Sequence, residues 1–250
     1  MLRDPPLGVH LLEAGQGPPL VLLHGGDGEG ADWVPLMAAM QHDARLYAVD
    51  RPGFGLTDPF DYRRVDIRSH AATFVASLLD ALDVDSATLV GGSMGGFFAL
   101  AAALEHPDRV CGVVLVGMPV GLASSAPLPL RIIGNVPGLA RRFMRSVSTI
   151  EGQRNQFRTM FHVDPDTVPE PYMAMRVAGR NLPGVQETWA VLLRRLTTWS
   201  GMSPGMYLDD AFHRLRQPTL VLWGEHDMAP ASVGREATAR LPRATFVEMT

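Results

Sequence analysis

The chain contains no lysine; all 22 of its basic residues are arginine. That absence excludes Schiff-base chemistry on a lysine, lysine-anchored pyridoxal phosphate and a Walker-type phosphate lysine. Cysteine is nearly absent as well. Cys111 stands alone, so there is no intrachain disulfide framework, Cys-rich zinc site or CxxC redox pair. Charge of neither sign dominates: a net −4 gives no electrostatic reason to expect nucleic acid or an anionic membrane surface as partner. Long apolar runs are missing too. The longest nearly uncharged one, residues 110–123, is broken by glycine and proline and falls short of a membrane span. The opening Met1-Leu2-Arg3-Asp4-Pro5-Pro6 lacks the apolar segment of a secretory signal. These absences predict a cytoplasmic setting. What is present is 250 residues, 46% hydrophobic, ample for one large domain or two small ones with a real core.

No internal repeat or low-complexity tract is visible. Short apolar runs alternate with helical patterns instead. Residues 19–23, 45–49, 87–90, 110–116, 219–223 and 245–249 read as strands, several of them apolar on both faces, as strands between two helix layers must be. Residues 66–82, 94–105 and 231–240 carry helical patterning, the second ending at Glu105-His106-Pro107 because proline cannot continue a helix. The alternation predicts an α/β fold with a mostly parallel sheet and right-handed crossovers. Residues 8–14 add an antiparallel edge strand.

Between Pro119 and about Arg216 the alternation stops. That stretch is too long for a loop in a compact domain and reads as a helical insertion. The domain layout expected is therefore a core over 1–118, a helical cap over 119–216 and the rest of the core over 217–250. The insertion is rich in soft or aromatic side chains. Most should form its own core; Trp189, Phe143 and Met160 are the candidates to line an apolar pocket.

Three motifs carry chemistry. Gly91-Gly92-Ser93-Met94-Gly95-Gly96 follows a strand and opens a helix, the context of a G-x-S-x-G nucleophile elbow. Its spacing does not match the G-x-G-x-x-G of a dinucleotide site. Ser93 is the candidate nucleophile, exposed above the sheet at the positive end of a helix. His24-Gly25-Gly26-Asp27-Gly28 also follows a strand. Gly26 there and Met94 are the candidate N–H donors to an oxyanion, while His24 is read as structural. Trp223-Gly224-Glu225-His226-Asp227 comes after a late strand, and Asp227 is the candidate acid that orients a histidine.

Together with Asp50-Arg51-Pro52-Gly53-Phe54-Gly55, a glycine-rich loop read as lying near the pocket mouth with Arg51 bonding locally, these motifs stand in the order of the α/β-hydrolase superfamily, which the chain resembles over its whole length. The resemblance implies a Ser–His–Asp triad, a cap domain, and neither metal nor organic cofactor. It does not fix the substrate, because this fold hosts many chemistries; the partners expected are a small-molecule substrate and a second copy of the chain in a homodimer. Within the superfamily, Gly92-Ser93-Met94-Gly95-Gly96 with Arg109-Val110 and the run 113–116 resembles the meta-cleavage-product C–C hydrolases. Those enzymes carry Asn before the nucleophile, where this chain has Gly92. They hold a substrate carboxylate with a cap arginine; Arg176, Arg180 and Arg194 are the candidates, spacing alone does not choose among them, and Arg176 is taken as the substrate contact. Proline iminopeptidases share Gly-Gly-Ser but carry Trp where Met94 stands. The activity expected is hydrolysis of an ester or lactone of a small-to-medium apolar or aromatic acyl group through an acyl-enzyme on Ser93. The alternatives are a meta-cleavage C–C hydrolase or a ligand-binding protein without turnover.

The family's histidine lies just after the last strand, here residues 245–249, and none of the eight histidines stands where that base belongs. His10, His42 and His70 fall outside the catalytic-end loops, His106 at the far end of the nucleophile helix, and His162 and His213 in the insertion or its exit. His226 adjoins the acid. The expectation is that the chain continues past Thr250 with a histidine loop and a closing helix.

Overall fold

A computed structural model describes residues 6–249. Residues 1–5, which hold most of the stretch weighed above as a leader, lie outside it, as does Thr250. Seven strands form one sheet: β1 (Leu11–Ala14), β2 (Pro19–Leu23), β3 (Arg45–Val49), β4 (Ala87–Gly92), β5 (Val110–Val116), β8 (Thr219–Gly224) and β9 (Ala244–Met249). Their spatial order is β1-β3-β2-β4-β5-β8-β9. Every pairing is parallel except β1 with β3. The sheet expected from the alternation is therefore present, with its antiparallel edge strand shorter than residues 8–14.

Side-chain alternation explains why these runs settle as strands. In β2, Val21 and Leu23 enter one core with Leu89, Phe97 and Leu100, while Leu22 turns to the other face with Leu46, Ala48 and Val90. The first face is covered by α2 (Ile67–Ala81) and α3 (Met94–Glu105), which pack on each other. Helix α2 starts where the Asp66 carboxylate accepts the Ser69 N–H, satisfying one of the amides a helix start leaves open. Small residues on α3, Ala99, Ala101 and Ala103, are fully buried and let it lie close over the sheet. The opposite face is covered in part by α1 (Val34–Met40) through Met37. This helix was not foreseen; seven residues beginning beside Pro35 offer too little period to separate from the glycine loop before them. Helix α9 (Ala231–Thr238) packs on β8 and β9 and stops short of residue 240.

After β5 come five helices, α4 (Leu128–Asn135), α5 (Leu139–Val147), α6 (Ile150–Met160), α7 (Glu170–Arg180) and α8 (Val185–Leu196), then a small hairpin of β6 (Thr197–Thr198) and β7 (Gly201–Met202). Pro137-Gly138 and Pro183-Gly184 separate helices as expected, with both glycines left-handed, a backbone state that costs glycine little. No helix among the described residues is long and apolar enough to cross a membrane.

Strand order reverses direction beside β2: β3 lies on one side of it and β4 on the other. A crevice forms at the carboxyl ends of strands at such a switch point. Leu23 pairs with Gly91, so the loops that leave β2 and β4 start side by side there.

Candidate active site

Ser93 sits between β4 and α3 with φ 46° and ψ −111°. A non-glycine residue with positive φ is strained, and the neighbours hold it there. The Ser93 N–H donates to the Val116 carbonyl at 3.3 Å, and its own carbonyl accepts from Val120 at 3.0 Å. A methyl group on Gly91 would meet the Gly95 backbone, and one on Gly95 would meet the Leu23 carbonyl, both within overlap distance. The two glycines of the motif are thus required by the turn itself. Met94 is the first residue of α3, so its N–H has no intrahelical acceptor.

The loop after β2 is shaped from behind by Arg51. This side chain is fully buried. Its Nε donates to the His24 carbonyl at 3.1 Å, and its Nη2 to those of Gly25 at 2.7 Å and Gly26 at 3.3 Å. Pinning three successive carbonyls fixes the direction of the amides between them, Gly26 N–H included. Burial lowers the Arg51 pKa to about 10, and its guanidinium packs over the rings of Phe54 and Phe98. The Asp50–Gly55 segment therefore supports the glycine loop rather than standing at a pocket mouth, because Arg51 and Phe54 are drawn into the core. His24 is structural, as expected. Its Nε2 accepts the Arg51 N–H at 3.0 Å, which leaves Nδ1 to donate to the Gly25 carbonyl at 2.8 Å. Burial and the Arg51 charge push its pKa well below the usual histidine value.

Asp227 lies in the loop after β8. Trp223, fully buried, ties that loop down by donating from Nε1 to the Ala229 carbonyl at 2.9 Å. Burial raises the Asp227 pKa, opposed by the N–H groups of Met228 and Met118; the Met228 N–H reaches Oδ1 at 2.7 Å. Ser93 and Asp227 line one cleft of about 480 Å³, together with His162 and His226. The rings of these histidines are 5.9 Å apart, and neither is hydrogen-bonded to Ser93 or Asp227 among the described residues. His10 bonds Asp50 at 2.7 Å.

Beside that cleft, and sharing Gly25, Ser93, Met160, Phe161 and Met228 with it, is a cavity of about 220 Å³. Gly26, Met94, Trp189, Phe143, Met160 and Arg176 all line it, so the structure brings the proposed donors and the four proposed substrate contacts around Ser93. Phe143 stacks on Trp189 with ring centroids 5.6 Å apart, and Leu130, Leu192, Leu193 and Leu196 extend this apolar wall. Met144, Met173 and Met206 are buried in the core instead, in line with most of the soft side chains packing the insertion. Arg194 stands apart. It lines a separate cleft with Arg63, Arg141 and Glu187 and is removed as a candidate for substrate.

The remaining wall is polar; Arg176 was expected there, whereas its acidic and amide partners were not. Arg176 donates from Nη1 to Asp32 at 2.7 Å and from Nε to Gln153 at 3.0 Å. Arg180 donates from Nη2 to Asp27 at 2.8 Å, and Gln156 to the same oxygen at 3.0 Å. Tyr172 donates to Asp32 at 2.9 Å. Burial works to raise the Asp27 pKa, yet Arg180, Arg176 and Gln156 outweigh it and hold the carboxyl far below the usual range. Burial likewise opposes the charge of Arg176, but Asp32 and Asp27 carry its pKa above the usual arginine value. Glu29 is pushed up to about 7 by burial, Asp32 and Asp50. The available signal was the run Asp27-Gly28-Glu29-Gly30-Ala31-Asp32 facing arginines four apart on a helix, at 176 and 180. No cluster of three or more metal-ligating side chains occurs among the described residues.

A strained serine at a strand-to-helix turn, flanked by a glycine loop, defines a class of hydrolase folds. Residues 18–249 match the family model described as the alpha/beta hydrolase fold, and the chain belongs to that family. It is 32% identical, over 96% of its length and 82% of the relative's, to a 2-hydroxy-6-oxononadienedioate/2-hydroxy-6-oxononatrienedioate hydrolase of Paraburkholderia phymatum. It is 31% identical, over 94% of its length and 81% of the relative's, to a 2-hydroxy-6-oxo-6-phenylhexa-2,4-dienoate hydrolase of Burkholderia cepacia. Among solved structures, a hydrolase of the latter name from Rhodococcus sp. strain RHA1 superposes with a TM-score of 0.79 at 25% identity, covering 97% of this chain and 86% of that one. The chain is a hydrolase of this fold.

Proposed function

We propose that the protein hydrolyses a C–C bond next to a ketone carbonyl, as in the meta-cleavage-product hydrolases that its sequence resembles; relatives named as hydrolases of 6-oxo unsaturated acids support this reading. The observation that carries this reading is the two-sided cavity at Ser93. An apolar wall of Phe143, Trp189 and leucines meets a polar wall of Asp27, Asp32, Gln156 and Arg176, which suits a substrate with one apolar and one polar end. Relative to the expectation of an ester or lactone, the relatives favour what stood as the alternative.

In this mechanism Ser93 Oγ adds to the carbonyl and passes its proton to the triad histidine that the family resemblance implies and that Asp227 would hold; none of the histidines in residues 6–249 takes that place. The oxyanion is met by the N–H groups of Gly26 and Met94. The tetrahedral intermediate collapses with cleavage of the C–C bond. The leaving carbon departs with the electron pair as an enolate, takes up a proton, and water then hydrolyses the acyl-enzyme. A substrate whose leaving carbon is conjugated to a further carbonyl makes that departure feasible.

A second reading, ester or lactone hydrolysis, is favoured by Gly92. The position before the nucleophile offers no side chain to a substrate's polar end, and an ester needs none, because its leaving group is already an oxygen. One panel separates the readings: a vinylogous diketone, a lactone and an aryl ester of matched acyl group. Meta-cleavage chemistry is expected to give the diketone a kcat/KM at least about tenfold above the others, or about 1.4 kcal/mol in the transition state. A diketone left intact while the ester turns over would establish the second reading.

A further inference from the structure

We infer that the polar wall of the Ser93 cavity is closed in charge and selects a substrate whose remote end is an uncharged hydrogen-bonding group, against one that ends in a carboxylate. The inference rests on the reading of that cavity as the substrate site, not on which bond is cleaved there, and it sets this chain apart from the carboxylate substrates for which its relatives are named.

The case begins with a count of charges. Asp27, Asp32 and Arg176 are the charged residues among those that line the cavity, for a sum of −1. Arg180 behind them brings the sum to zero, since it is paired with Asp27. Both arginines that could have met an anion are committed to carboxylates of this chain, Arg176 to Asp32 at 2.7 Å and Arg180 to Asp27 at 2.8 Å. Their side chains are only 6% and 2% exposed, so solvent does little to screen what approaches them. Glu29, next in line on the same loop, adds negative charge as it ionises. An incoming carboxylate would face two fixed carboxylates with no unpaired cation to receive it, and like charges brought together out of water repel strongly.

A neutral acceptor meets a different situation. A guanidinium carries five N–H donors, and Arg176 gives only part of them to Asp32, Gln153 and Tyr172. A carbonyl or amide oxygen can take one of the rest without adding net charge. The place that a substrate carboxylate would take on a cap arginine is thus occupied, in this chain, by Asp32. Both aspartates belong to the loop that carries Gly26, so the same loop would set oxyanion geometry and refuse the acid.

The test compares the p-nitrophenyl esters of monomethyl adipate and of adipic acid, which share the reacting ester and differ only at the remote end. After correction for spontaneous hydrolysis, the methyl-capped ester is expected to have the higher kcat/KM by about tenfold or more. Asp32→Asn frees Arg176, and the ratio should fall towards one through a gain by the acid. Equal or better turnover of the acid by the natural protein would overturn the inference, as would a ratio that Asp32→Asn leaves unchanged. If that variant does not fold, the natural protein alone decides through protection of Ser93 from a fluorophosphonate. Dimethyl adipate should protect at concentrations at least about tenfold below monomethyl adipate, and equal protection would refute charge selection. Failure of the underlying reading looks different: no fluorophosphonate adduct forms on Ser93. Charge selection is then still read from quenching of tryptophan fluorescence by the same two ligands, with Trp189→Phe as control. Quenching by the diester at lower concentration supports it, and equal quenching refutes it.

Discussion

The two walls of the Ser93 cavity are built by different means. The sheet-side wall is made of backbone: a strained serine, glycines with no room for a methyl group, and three carbonyls pinned by Arg51. The helical wall is made of side chains from α4–α8, with a stacked aromatic pair at one end and, at the other, two arginines that reach across to Asp27 and Asp32 of the loop after β2. Backbone positions tolerate almost no change of residue, whereas a side-chain wall can be rewritten without disturbing the turn. The comparison assigns reaction chemistry to the first wall and choice of substrate to the second.

The sharpest way to break this division is at Arg51. Arg51→Lys keeps a charge but loses the fork that reaches three carbonyls at once. If that fork aims the Gly26 N–H, kcat should fall by about 10², comparable to losing one oxyanion donor. KM should change far less, and circular dichroism should remain that of the natural protein. A fall in KM-linked affinity with kcat preserved would make Arg51 part of substrate choice and undo the contrast.

A smaller effect sharpens the seam between the walls. The Glu29 carboxyl, raised from its ordinary value to about 7, binds its proton more tightly in the folded state than in the unfolded one. Its contribution is therefore present at low pH and lost as pH rises from about 4.5 towards 7. Glu29→Gln should remove that loss, making the protein more stable than its parent above pH 7 by about 1 kcal/mol, after allowance for partial exposure. Thermal melts at pH 5 and pH 8 measure it. An equal difference between the two proteins at both pH values would show that Glu29 does not titrate in this way.

The same contrast explains what could be read from the sequence. The elbow was legible because Gly91 and Gly95 are demanded by backbone contacts two residues either side of Ser93, and such demands leave a fixed spacing. The sheet was legible because β2, β4 and β5 are apolar on both faces. Asp27 and Asp32 were not legible as cavity residues, since acidic residues in a glycine loop ordinarily form solvated turns. Only the folding of α7 over that loop turns them inward. Arg51 was read only as bonding locally, and its reach to the glycine loop was missed for a related reason: a buried arginine without a carboxylate partner leaves no pattern in its own segment. Among the arginines of the helical insertion, spacing alone did not separate Arg194 from Arg176, and the positions they occupy on α8 and α7 decide which one meets the cavity.

The division between the walls stands on Ser93, held by the sheet-side wall, being the nucleophile. The most direct measurement is the intact mass of the purified protein before and after exposure to a fluorophosphonate, repeated with Ser93→Ala. A single adduct is expected on the natural protein. None is expected on the variant, which should keep the same near-ultraviolet circular dichroism. A folded natural protein that takes no adduct, or an adduct that persists in Ser93→Ala, would contradict it.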